Sequence, residues 1–64
     1  DLILADPPYD FALHAEVTDA ALSRLSPEGL FVLEHGADTD LSNHPQFTQV
    51  RRYGSVHFSF FEGR

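Results

Sequence analysis

The apolar positions of the chain follow three different periods. Leu2-Ile3-Leu4-Ala5 and Leu30-Phe31-Val32-Leu33 are continuous apolar runs, which suits strands covered on both faces, as in a parallel sheet. Between them, Leu13, Val17, Ala20, Ala21 and Leu25 recur at helical spacing and predict a helix from about Phe11 to Leu25. Asp10 stands where an N-cap carboxylate accepts a backbone N–H of the first turn. "SPEG" at positions 26–29 reads as a turn, with Pro27 and Gly29 at their favoured positions. After a polar, turn-rich stretch from Ala37 to Pro45, Phe47 to Tyr53 and Val56 to Phe61 flank Gly54-Ser55, the pattern of an antiparallel hairpin. In its second arm Val56, Phe58 and Phe60 share one face, and His57, Ser59 and Phe61 share the other.

Strand, helix, strand and hairpin give an α/β fold in one unit, without repeats or low-complexity segments. At 64 residues such a chain buries only about 60% of its unfolded surface. There is no Cys, so neither a disulfide nor a thiolate zinc site adds stability. Met is absent too, and the chain starts inside a strand pattern; the expectation is therefore a single partial domain, residues 1–64, of a longer protein. No signal-peptide pattern occurs, and no apolar run approaches the ~20 residues needed to span a bilayer.

Charge narrows the choice of partners. The net charge is -6, and the four basic residues are all Arg, which is poor for a stand-alone nucleic-acid binder. A polynucleotide substrate would find most of its phosphate-binding surface elsewhere. In the pair Arg51-Arg52, neighbours on a strand point to opposite faces, so at most one of them is expected to meet a given phosphate.

The first apolar run leads directly into "DPPY" at positions 6–9. An apolar strand ending in this motif, then a helix, a second apolar strand and a hairpin, resembles the C-terminal half of a Rossmann-like S-adenosylmethionine-dependent methyltransferase sheet. The stretches "DLILADPPYD", "SPEGLFVLEHG" and "RRYGSVHFSFFEGR" are similar to the bacterial 16S ribosomal RNA (guanine-N2) methyltransferase family, over nearly the whole chain. The resemblance implies methyl transfer from S-adenosyl-L-methionine to an exocyclic nucleobase amine, ribosomal RNA as partner, a cytoplasmic setting and no membrane. It also implies that this chain is the amine-facing half of the domain. The glycine-rich turn and the ribose-binding acid of the cofactor half are absent from the sequence, so the chain alone is expected to be inactive.

The motif suits that chemistry in its own right. The lone pair of a nucleobase amine is conjugated into the ring and is a poor nucleophile. Acceptors aimed at its two protons draw the nitrogen toward tetrahedral geometry and free the pair. The Asp6 carboxylate and the Pro7 backbone carbonyl are the candidate acceptors. Consecutive prolines fix φ at Pro7 and Pro8, so the carbonyl is aimed in advance. Tyr9 offers a face on which an extruded base can stack. Asp6, Pro7 and Tyr9 are thus the expected catalytic residues, and Pro8, Tyr9 and His35 the expected substrate contacts. Asp6 and Pro7 are also the expected cofactor contacts. The plain alternative for the motif is a stiff turn out of a strand.

The remaining candidates are weaker. His14, His35, His44 and His57 show no short metal-ligand spacing, and no metal site is expected. His35, beside Gly36 past a strand's carboxyl end, lies where ligands bind in open α/β sheets; a solvent-facing loop histidine is the simpler reading. Two other functions remain open: an adenine amino-methyltransferase acting on DNA or RNA, and a non-catalytic interaction fragment in which "DPPY" is only a turn. Stripped of an upstream neighbour, the first strand would expose an edge, through which self-association is expected.

Overall fold

The computed structural model describes residues 2–6 and 11–63. Five elements follow one another: β1 (Leu2–Ala5), α1 (Phe11–Arg24), β2 (Leu30–Gly36), β3 (Phe47–Tyr53) and β4 (Val56–Glu62). They form a small mixed α/β domain whose four strands lie in the order β1-β2-β4-β3. β1 and β2 are parallel, with Leu2 opposite Leu30 and Ala5 opposite Leu33. β4 runs antiparallel to both β2 and β3. The last strand thus inserts between β2 and the strand that precedes it.

The register stacks side chains in three rungs on the face that meets α1. Ile3, Phe31, Phe61 and Phe47 form the first, and Ala5, Leu33, Ser59 and Val50 the second. His35, His57 and Arg52 form the third. Polarity therefore rises toward the carboxyl end of β2. Phe31, Leu33 and Phe61 are fully buried, and Leu41 joins them from the loop after β2. Aromatic rings interlock within the first rung: the centroids of Phe31 and Phe61 lie 5.7 Å apart, those of Phe47 and Phe61 5.8 Å.

The helix meets this core with Val17, Ala21 and Leu22, and Leu25 just beyond its end also packs there. Its buried stripe also contains His14 and Thr18, which share one face with these residues because three- and four-residue steps stay on one side of a helix. Ala20, expected on the apolar face, is exposed. The proposed cap Asp10 lies outside the described residues, as does the side chain of Leu13.

Three glycines hold the connections. The "SPEG" turn closes as expected, with the Gly29 N–H donating to the Ser26 carbonyl over 2.8 Å. Gly63 crosses that turn so closely that a Cβ there would collide with the Ser26 carbonyl. Gly54 opens the two-residue hairpin turn at φ +62°, a left-handed conformation that L side chains rarely adopt. It is the only described residue in that region among glycines and non-glycines alike.

Two features depart from simple alternation. A bulge at Thr48 separates the pairs Phe47–Phe61 and Gln49–Phe60. The extra residue shifts the phase of β3, so Phe47, Val50 and Arg52 share the helix face while Arg51 and Tyr53 lie on the other. The second departure concerns cover. The continuous run of β1 fits a strand buried on both faces, yet Leu2 and Leu4 are 59% and 70% exposed. Among the described residues one helix covers one face, and the opposite face is open.

Candidate functional site

Parallel pairing decides what surrounds Asp6. Because Ala5 lies opposite Leu33, the next residue of each strand, Asp6 and Glu34, emerges at the same level. Both line a cavity of about 200 Å³ on the open face, walled by Leu4, Val32 and Phe58. Asp6 is exposed and Glu34 half-buried. Two carboxylates and one aromatic ring thus meet beside the carboxyl ends of two parallel strands, where ligands bind in open α/β sheets. Chemically, this corner supplies hydrogen-bond acceptors next to an apolar wall. Pro7, Pro8 and Tyr9, the rest of the expected site, lie outside the described residues.

Glu34 reads from the sequence as a polar strand terminus. The signal that joins it to Asp6 is the register of the two apolar runs, each ending in an acid at the same step.

His35 is placed differently from either sequence reading. It belongs to β2 rather than to a loop, it is 1% exposed, and it faces the helix rather than the cavity of Asp6. Strand alternation is the reason: Glu34 and His35 are consecutive and so point to opposite faces. The ring is held at both nitrogens. Nδ1 donates to the Gly36 carbonyl over 2.9 Å, because a carbonyl only accepts. In the neutral ring Nε2 is then the acceptor, and the Ser59 hydroxyl donates to it over 2.7 Å. His14 and His57 flank this ring, with centroids 6.2 and 5.9 Å away.

A second cavity, of about 270 Å³, opens on the helix face over the third rung. His35, Ser59, His57 and Arg52 line it from the sheet, and Asp40 and Ser42 from the loop after β2. Asp40 Oδ1 accepts both the backbone N–H of Ser42 at 3.0 Å and its hydroxyl at 2.7 Å. These two bonds, the backbone one foremost, hold the Asp40 carboxyl below its ordinary range; Arg52 and His35 add to the effect against slight desolvation.

The fourth histidine is structural. His44 Nδ1 accepts from the Gln46 backbone N–H at 3.1 Å, so its Nε2 donates to Asp19 of the helix at 3.2 Å. Its ring stands edge-on to Phe61, 5.4 Å between centroids. This pins the loop to both the helix and the core.

Among the described residues no three His, Asp or Glu side chains converge as metal ligands, and no helix is long and apolar enough to cross a membrane. No family model, no curated protein and no solved structure matches the chain.

Proposed function

We propose that this chain is the amine-facing part of an S-adenosylmethionine-dependent methyltransferase that methylates an exocyclic nucleobase amine, with guanine N2 of small-subunit ribosomal RNA the target that the sequence resemblance implies. The observation that carries the reading is the convergence of Asp6 and Glu34 beside Phe58, directly before the "PPY" sequence. The strand-helix-strand arrangement with an antiparallel pair added at one side supports it as well, because one flank of a methyltransferase sheet needs both.

The cofactor test rests on the same corner. The cavity's 200 Å³ is below the roughly 300–1,000 Å³ of whole-ligand pockets. Its apolar walls fit a methyl-bearing end rather than the whole cofactor. Asp6 and Pro7 are the residues of this chain that would touch the cofactor, which supplies an electrophilic methyl group on its sulfonium. Asp6 accepts one amine hydrogen and the Pro7 carbonyl the other, which orients the nitrogen lone pair toward the methyl. Tyr9 stacks on the base. As the N–C bond forms and the methyl's bond to sulfur breaks, leaving a neutral thioether, positive charge would pass to the nitrogen, where the Asp6 carboxylate would stabilise it. Glu34 adds a second negative charge at the same place. The amine proton would then be lost from a cation to water, which needs no strong base. Positioning supplies most of the rate.

The decisive measurement is methyl transfer to guanine-containing RNA by a protein that includes this chain. Asp6→Ala is expected to slow single turnover on the order of a hundredfold, with a smaller effect on cofactor affinity. Wild-type turnover in that variant would overturn the assignment.

A further inference from the structure

We propose that Arg52 and His57 form a site for one phosphodiester group of a single-stranded ribonucleic acid, at the mouth of the cavity on the helix face. The nature of the ligand rests on the function proposed above; the site itself rests on geometry.

Few places on this chain suit an anion. Its net charge is -6, with four basic residues. Arg24 closes the last turn of α1, where a cation complements the helix dipole. Arg64 lies outside the described residues, and Arg51 stands on the open face opposite Phe58. Arg52 is directly across from His57, and both line the 270 Å³ cavity. Among the described residues neither the Arg52 guanidinium nor the His57 ring nitrogens have a hydrogen-bond partner. Two donors, opposite one another across the β3–β4 pair, therefore line one cavity.

His57 is backed by a ring that is itself held. It meets His35 edge-on, 75° between planes, and His35 is tied to the Gly36 carbonyl and the Ser59 hydroxyl. Less conformational freedom is left to lose on binding.

Asp40 chooses among anions. Its carboxylate lines the same cavity, and the Ser42 bonds favour its charged form. A phosphate monoester dianion brings two charges against it. A phosphodiester brings one charge and two unesterified oxygens, one for the guanidinium and one for the imidazole N–H. Its neutral ester side can turn toward Asp40.

The test is a nuclear magnetic resonance titration of the 64-residue chain at pH 8 with uridylyl-uridine, a diester, and with uridine 5′-monophosphate, a dianion at that pH. The His57 ring resonances are expected to shift saturably with the diester, and several-fold more weakly with the monophosphate. With a longer oligouridylate, Arg52→Gln should weaken binding on the order of tenfold and reduce the slope of log affinity against log salt by about 0.7. Arg51→Gln, the control on the other face, should leave that slope within error. Both arginines are exposed, and circular dichroism verifies that each variant keeps the fold. No response to the diester, or an Arg52→Gln protein that binds like wild type, overturns the site; so does an equal loss in Arg51→Gln. Failure of methyl transfer with this binding intact would count against the enzyme alone, since the two readouts are independent.

Discussion

The Ser59 hydroxyl donates to Nε2 of His35 across 2.7 Å, joining β4 to β2 beneath the helix. Both residues are 1% exposed, so the bond itself is shielded from bulk water. Ser59→Ala leaves a buried ring nitrogen without its donor and should cost about 1–3 kcal/mol. Adding His35→Leu removes the stranded acceptor and should recover part of that loss. Urea unfolding of the two single variants and the double variant measures the coupling; strict additivity would refute it.

Glu34 tests the Asp6 corner from the neighbouring strand. In a protein that includes this chain, Glu34→Gln keeps the shape of the cavity but removes one negative charge where the amine would become cationic. Methyl transfer should fall by about tenfold, less than for Asp6→Ala, because Glu34 is outside the "DPPY" motif and acts by charge alone. The present chain by itself should bind S-adenosylmethionine weakly or not at all; tight stoichiometric heat in a calorimetric titration would contradict this.

Two glycines are sensitive for different reasons. Gly63→Ala places a methyl group against the Ser26 carbonyl, and backbone must move to admit it, at about 1–3 kcal/mol. Gly54→Ala meets no atom but forces an L side chain into a left-handed conformation, at about 1–2 kcal/mol. Thermal unfolding should show both losses. Asn at position 54, which tolerates this conformation better, should restore part of the second.

Asp40 gives a pH signature. Its folded pKa is lowered from the 3.8 of an unperturbed carboxyl, so its bonds to Ser42 stabilise the fold above that value. The contribution fades as pH falls through the folded pKa, where the carboxyl protonates. The unfolding midpoint of wild type minus that of Asp40→Asn should be positive at pH 6 and shrink toward zero as pH falls through the lowered folded pKa. A difference independent of pH would mean that the carboxylate charge plays no part.

The edge of β1 carries the last prediction. Among the described residues β1 pairs only with β2, and Leu2 and Leu4 are exposed. Unpaired strand edges with apolar side chains are templates for another chain. Burying about 300 Å² of apolar surface at ~25 cal/mol per Å² supplies about 7 kcal/mol before the cost of association. The chain should therefore self-associate at micromolar concentration, and Leu4→Lys should shift it to monomer. Sedimentation equilibrium distinguishes the two; a strictly monomeric wild type refutes the edge argument.

Local chemistry alone was enough for the elements of this protein. The four apolar or alternating stretches, the helical spacing between the first two, the Ser26–Gly29 turn and the Gly54-Ser55 hairpin are each encoded within a few neighbouring residues, so periodicity and turn preference find them. The approach of Asp6 to Glu34 is partly legible for the same reason, since parallel runs ending in an acid at equal steps bring those acids together. Other features depend on which strands become neighbours, and that is decided by long-range packing. β4 rather than β3 docks on β2, which delivers Ser59 to His35 and makes a core pair of two polar residues that look like surface positions in the sequence. The bulge at Thr48 turns Arg52 toward His57 and leaves Arg51 on the other face. Likewise His14 and Thr18 are buried because of where α1 lies, not because of their polarity. A side chain's partner across a sheet is set by the register of the whole sheet, and no local pattern in the chain specifies it.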